Sequence, residues 1–334
     1  MKKKNVIITI CILIYILFIG YKYQVRHGNV VEDSDESLTV VTSFYPMYMH
    51  TKEIMKNTPH TLVNMASQTV GCLHDYQLTV QDAKKLYDAD VLVTNGLGSE
   101  NFIEKAYKQN QDLKIIEASH EIEQQLFAGE DVHTSEEDLH EEEAHSHHHH
   151  NHDHGTVNDH IWLSIEGSIM QIEEIAKGLM AIDPAYAKVY QENATAYMNA
   201  LRELEQTVKE DFKGEGENLK VVSVHDAFTY MLEDLGIDVV ETIPEGSYEN
   251  ASAKQIEHLV EHMQEENVQV IVTEAKNQDL AILKMLQNEM PCQIYVIDAF
   301  VNGQESGIQS SIEEFEYVVR MKKNIEILKE AFNE

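Results

Sequence analysis

The sequence predicts an α/β protein in which two lobes with mostly parallel sheets are bridged by one long rigid helix. Three observations carry that reading. Short β-branched apolar runs alternate with helical stretches between Leu38 and Ile116. The same alternation restarts at Leu219. Between the two stretches lies a segment with helical periodicity and few breaks.

Element by element, Leu38–Thr42 reads as a strand, Met47–Lys56 as a helix and Thr61–Met65 as a second strand. Asp82–Tyr87 is helical, Asp90–Thr94 is a buried strand, Glu100–Lys108 is a helix and Leu113–Ile116 a fourth strand. In the second half the strands are Leu219–Val224, Val239–Thr242, Val268–Thr273 and Ile294–Ile297. Helices Ala227–Leu235, Ser252–Glu266 and Gln278–Asn288 fall between them. In the middle, Ile169, Ile172, Ile175, Ala176 and Leu179 form a stripe on a helix over Ile165–Met180. Asp183-Pro184 reads as the N-cap and first position of a second helix, running to about Phe212 without Pro or Gly. At 1.5 Å per residue that helix is ~40 Å long. A strut between lobes is expected, because both flanking regions look complete in themselves.

The chain has 334 residues, 25 Lys plus Arg against 58 Asp plus Glu, and a net charge of -33. That balance excludes nucleic-acid binding, which needs clustered cations. A hydrophobic fraction of 43% excludes wholesale disorder. Three Cys are too few and too scattered for a disulfide framework or a cysteine-only zinc site. Lys2, Lys3 and Lys4 precede an apolar run from Val6 to Gly20, as in an export signal. No small-x-small cleavage site follows, and the only Cys there, Cys11, lies inside the run instead of at its end. An uncleaved membrane anchor over 1–37 is expected, holding an extracytoplasmic body, which would be secreted if the segment were cleaved.

Histidine is the abnormal residue. Nine of the 18 fall in one tract: His133, His140, His145, His147, His148, His149, His150, His152 and His154. Residues 129–159 also hold ten acids and no Lys or Arg, so the segment cannot pack a core and is expected to be disordered. Imidazole is a preferred ligand for zinc, copper and nickel, and the acids concentrate cations around it. A floppy loop loses entropy on closing around an ion, so a second, preorganised site is expected in the folded body. Three further histidines lie at element junctions. His74 is in a loop after the second strand, His160 precedes a helix, and His225 directly follows a strand, at the end where open α/β sheets bind ligands. Singly each would more often be structural. Asp298 ends another strand of the second half and offers a carboxylate; as a solvated acid or helix cap it would be equally ordinary. Glu274 is the other carboxylate, better placed to order the loop. Three His and one carboxylate close a tetrahedral zinc shell, leaving no position for water.

At these residues the chain resembles the extracytoplasmic metal-binding proteins of bacterial ABC importers for zinc and manganese. The likeness runs from Leu38 to Phe332. His74-Asp75-Tyr76 resembles the family's Gly-x-Glu-Pro-His segment, with Leu73 in place of Pro and Cys72 where an acid is frequent. His160-Ile161-Trp162-Leu163 resembles Asp-Pro-His-x-Trp-Leu, with Asp159 in place of Pro. His225-Asp226-Ala227-Phe228-Thr229-Tyr230 is similar to His-x-Ala-Phe-x-Tyr. Pro244-Glu245-Gly246 with Ser252-Ala253-Lys254 is similar to a family segment after the third ligand. The zinc branch also carries an acidic His-rich loop before its second ligand.

The resemblance implies two pseudo-symmetric lobes with metal in the cleft between them, held by His74, His160, His225 and Asp298. It implies zinc as cargo with manganese second, an ABC permease as partner, and no catalysis. Asp298 matches the position where manganese-type members carry their Asp, whereas His225 stands where they usually present a carboxylate. The expected organisation is an anchor and tether over 1–37, a first lobe over 38–128, the His-rich loop over 129–159, helices over 160–212 and a second lobe over 213–334, in a monomer. Two other readings stay open: a surface zinc-buffering or adhesion protein without a transporter, and a zinc hydrolase with Glu274 as base.

Overall fold

The computed structural model describes residues 37–66, 73, 76–127, 157–212, 219–244, 252–303 and 314–333. Among the described residues the strands are β1 Thr39–Thr42, β2 Thr61–Asn64, β3 Val91–Thr94, β4 Lys114–Glu117, β5 Lys220–Val224, β6 Asp238–Ile243, β7 Val270–Thr273 and β8 Gln293–Val296; the central β1, β3, β5 and β7 are β-branched runs buried on both faces. The strands form two four-stranded sheets, ordered β2-β1-β3-β4 and β6-β5-β7-β8. Every pairing is parallel. The two sheets are therefore wound identically. In each, the order reverses between the first and third strands of the lobe, and such reversals open a crevice at the carboxyl ends.

Helices cover the sheets: α1 Tyr45–Ile54, α2 Val80–Tyr87, α3 Glu104–Tyr107, α4 His120–Phe127, α5 Ile165–Ile182, α6 Ala187–Asp211, α7 Thr229–Asp234, α8 Ala253–Glu265, α9 Ala281–Glu289 and α10 Glu316–Asn333. Helices α2 and α8 open with capping boxes, Thr79 with Asp82 and Ser252 with Gln255. The expected helix over Glu100–Lys108 is split into a 3₁₀ turn, Asn101–Ile103, and the short α3. Glu100 turns inward there to accept the Asn95 and Gly96 N–H groups.

The long helix differs from expectation at its start. Asp183 makes no side-chain cap. Its carboxylate accepts the Tyr190 hydroxyl at 2.9 Å and meets His60 Nε2 at 2.7 Å, which ties α6 to the residue before β2. The chain then passes through a 3₁₀ turn, Pro184–Tyr186, before α6 begins. Nor is α6 a bare strut. Tyr190, Ala194, Tyr197 and Leu201 are fully buried along one stripe, within a core cluster that also contains Val40 and Val93 of the first sheet and Val221 and Val272 of the second. The lobes share one apolar core, and α6 is part of it. Among the described residues no helix is long and apolar enough to cross a membrane. The expected anchor lies outside them.

Candidate metal centre

The site is built from the carboxyl ends of both sheets. In the first lobe, Asn95 follows β3 and Ser43 follows β1, on either side of the strand-order reversal. Both feed a buried polar network around Glu100. Its Oε1 accepts Ser43 Oγ and the Asn95 N–H at 2.7 Å each, and its Oε2 accepts the Gly96 N–H at 3.1 Å. Burial pushes the Glu100 carboxyl up to about 7, and these donors hold it from rising further.

The same network grips the chain just before His160. Asn95 Nδ2 donates to the Asp159 carbonyl at 2.9 Å, and Ser99 Oγ donates to Asp159 Oδ2. Asp159 is 4% exposed. The expected disordered loop over 129–159 is thus too long at its end, because residues 157–159 are described and two of them are fastened to the site. The cause is the pair of acceptors on Asp159, which a composition count treats as one more acid in an acidic tract.

His160 is 1% exposed. Its Nδ1 meets Asn158 Oδ1 at 2.8 Å and Asp159 Oδ1 at 3.2 Å, and its backbone N–H donates to the same Asn158 oxygen at 3.0 Å. With acceptors on Nδ1, that nitrogen carries the proton in the neutral ring, so the lone pair is on Nε2. Behind the ring stands Trp162, 5.0 Å away centre to centre, which donates its indole N–H to the Ala299 carbonyl of the second lobe at 3.0 Å. The following turn packs tightly on α5: a Cβ on Gly167 would lie 2.7 Å from the Ile161 carbonyl oxygen.

His225 leaves β5 with φ +74° and ψ 146°, a region L-residues avoid at a cost of about 1–3 kcal/mol. Two bonds hold it there. Its N–H donates to the Ile243 carbonyl at 2.9 Å, and Ser223 Oγ donates to its carbonyl at 2.7 Å. This conformation reverses the chain into a 3₁₀ turn, so that Asp226 Oδ1 comes to 3.2 Å from His225 Nε2. Glu274, directly after β7, lies 3.4 Å from His225 Nδ1 and is 5% exposed. It also meets Lys276 Nζ at 3.5 Å and accepts Asn277 Nδ2 at 3.3 Å.

His160, His225 and Asp226 thus present ligand atoms that all lie within 4.8 Å of one another, with the two rings perpendicular and 4.8 Å apart. Tetrahedral zinc, with bonds of about 2.0–2.1 Å, spaces its ligand atoms about 3.3 Å apart, so a small inward movement completes the geometry. A second trio, Glu117, His120 and Glu123, gathers after β4, but its His120 is exposed and engages Gln124 at 2.9 Å.

Asp298 follows β8 as predicted, and both its oxygens accept hydrogen bonds: Arg320 Nε donates to Oδ2 at 2.7 Å, Arg320 Nη2 to Oδ1 at 2.8 Å, and the Phe300 N–H to Oδ1 at 2.8 Å. Arg320 is fully buried while the Asp298 side chain is 23% exposed, and Asp298 does not group with His160, His225 and Asp226. The carboxylate that groups with both histidines is Asp226, which sequence reasoning passed over. Its adjacency to His225 was visible, but residues next to each other on a strand point to opposite faces, and only the turn at His225 brings them together. His74, Cys72 and the nine tract histidines lie outside the described residues.

A model of the family described as "Zinc-uptake complex component A periplasmic" matches residues 40–331. The chain belongs to that family. The resemblance to zinc and manganese solute-binding proteins of ABC importers is borne out, as is the two-lobed fold. Zinc-binding protein AdcA of Streptococcus pyogenes is 27% identical over 334 residues, covering 98% of this chain and 61% of that protein. Iron-binding protein YfeA of Yersinia pestis is 25% identical, covering 75% of this chain and 74% of that one. The chain spans about three fifths of the length of AdcA. Among solved structures, SBP FpvC of Pseudomonas aeruginosa in complex with Mn2+ matches with a TM-score of 0.67 and 22% identity, covering 89% of this chain and 99% of that one. A Cd-bound periplasmic metal binding protein from candidatus liberibacter asiaticus matches at 0.68 and 22%, covering 89% and 100%. Both are likenesses of fold.

Proposed function

We propose that this chain is an extracytoplasmic zinc-binding protein that captures Zn2+ and hands it to an ABC permease. One observation carries the reading: His160 and His225, held by different lobes, converge with Asp226 so that their ligand atoms lie within 4.8 Å. Imidazoles favour zinc over manganese, and the relatives named for zinc support the same cargo. His74 supplies a third imidazole, and a carboxylate completes the shell. Asp226 is the carboxylate that groups with both histidines; Asp298 is the other candidate, since its Oδ2 accepts Arg320 Nε and keeps a further lone pair.

A shell filled by protein ligands holds an ion and does no chemistry on water, so the chain is assigned no catalytic step. Ligands from both lobes couple metal binding to whatever interlobe movement remains. The shared core keeps that movement small. The His-rich tract gathers cations near the cell surface, and the N-terminal apolar run keeps the body at the membrane, beside the permease that takes the ion.

The test is zinc affinity by competition with a chelator. Removing one ligand by His225→Ala or His160→Ala lowers affinity by at least about tenfold, an effect no weaker than losing an outer-shell partner. Deleting 129–153 leaves tight binding in place and slows uptake only when zinc is scarce. Equal loss of tight binding in the histidine variants and the deletion contradicts the two-site scheme.

A further inference from the structure

We infer that Asn158 is a clasp that joins the two halves of the metal site before the ion arrives; the inference rests on the site proposed above. The Asn158 carboxamide faces both ways. Its oxygen accepts the His160 backbone N–H at 3.0 Å and lies 2.8 Å from His160 Nδ1. Its nitrogen donates to the carbonyl of Asp226, in the second lobe, at 2.8 Å. The orientation of the amide is fixed by its partners, because a flip would set its NH2 against the His160 N–H and its oxygen against a carbonyl. Next to it, the Asn158 carbonyl accepts the Tyr230 hydroxyl, also from the second lobe, at 2.9 Å.

One side chain therefore does two things for the ligands. Its oxygen holds the proton on His160 Nδ1 and so keeps the lone pair on Nε2. Its nitrogen ties the residue after His225 to the loop that carries His160. Less interlobe freedom then remains to be lost when zinc binds, which is the usual effect of preorganisation. An aspartate of the same shape keeps the first role and loses the second, because a carboxylate has no proton for the Asp226 carbonyl and repels it. Alanine loses both. The two variants separate the roles.

Trp162 is the only Trp in the chain and lies 5.0 Å from the His160 ring, so its emission reports this site and not the histidine tract. The experiment is chelator-competed zinc titration and stopped-flow zinc release on the full chain, read at Trp162. Melting curves by circular dichroism check that each variant is folded. Asn158→Ala is expected to weaken zinc binding by about 10- to 100-fold, the range for loss of a ligand's outer partner. Asn158→Asp is expected to bind with a smaller loss but to release zinc about tenfold faster than the natural chain, at an unchanged melting temperature. An Asp variant that releases zinc at the natural rate overturns the clasp while leaving the site intact. An Ala variant with natural affinity overturns both roles. A natural chain whose Trp162 emission ignores zinc overturns the site, and the clasp with it.

Discussion

At the scale of single residues, the two acids near the site separate by what they touch. Asp298 is the partly exposed half of an ion pair with the buried Arg320. Removing it by Asp298→Ala leaves a buried guanidinium short of its partner, and the expected loss is about 3 kcal/mol of stability in urea unfolding. Asp226 is exposed and meets His225. Asp226→Asn is expected to change stability by less than about 0.5 kcal/mol and to weaken zinc binding about tenfold. If instead Asp298→Ala weakens zinc binding and leaves the urea midpoint alone, the assignment of the two acids is reversed. His50 gives a pH signature. It is fully buried, Nδ1 lies 3.1 Å from the Tyr197 hydroxyl, and Nε2 has no partner among the described residues. Burial lowers its pKa from 6.5 to about 3. Below pH 6.5 the unfolded chain takes up a proton that the folded chain refuses, so this group's contribution weakens as pH falls towards about 3. Glu100 acts in the opposite sense: raised from 4.5 to about 7, it costs stability as pH rises through that window. Comparing the natural chain with His50→Gln isolates the first effect. On going from pH 7 to pH 5 the natural chain is expected to lose about 2 kcal/mol more than the variant in urea unfolding; parallel losses would show that His50 is not buried neutral.

At the scale of elements, the sequence was readable wherever one local rule decided the outcome. All eight strands stand within about two residues of their expected positions, because runs such as Val91-Leu92-Val93 are apolar on both faces and only a covered parallel sheet hides both. The stripe of α5 was equally plain. Helix α10 was overlooked although Tyr317, Met321, Ile325 and Leu328 repeat at helical spacing and are buried. Its Arg320 and Asn324, which look like surface residues in a sequence, are interior here because Arg320 donates to the Asp298 carboxylate and Asn324 Nδ2 to the Asp298 carbonyl. Asp183 has the composition of a cap but is claimed by Tyr190 and His60, partners that the chain brings from 7 and 123 residues away. Of the site, His160 and His225 were legible from their junction positions. Asn158, Asp226 and the Ser43–Glu100–Asn95 network were not, since their roles depend on hydrogen bonds between segments distant in the chain. The stripe of α6 has its own consequence. Leu201 is fully buried in the core that the lobes share, and Leu201→Ala is expected to cost about 2–5 kcal/mol in urea unfolding.

At the scale of the whole molecule, the continuous core implies that the lobes unfold together, so Trp162 emission and far-ultraviolet circular dichroism are expected to follow one coincident urea transition. Two separated transitions would mean independent lobes. A shared core also suits the proposed task, since a body that rocks slightly about α6 can close on an ion without exposing apolar surface. The net charge of -33 attracts cations over the whole surface but selects none; in the proposed site, selection falls to the imidazoles of His160 and His225. The most direct measurement is zinc content and X-ray absorption of the chain lacking 129–153, after equilibration with the ion and removal of the excess. One tightly held zinc per chain, with imidazole nitrogen and carboxylate oxygen at about 2.0–2.2 Å, is the predicted result. A chain that emerges without zinc, or one whose zinc survives His160→Ala and His225→Ala together, would contradict it.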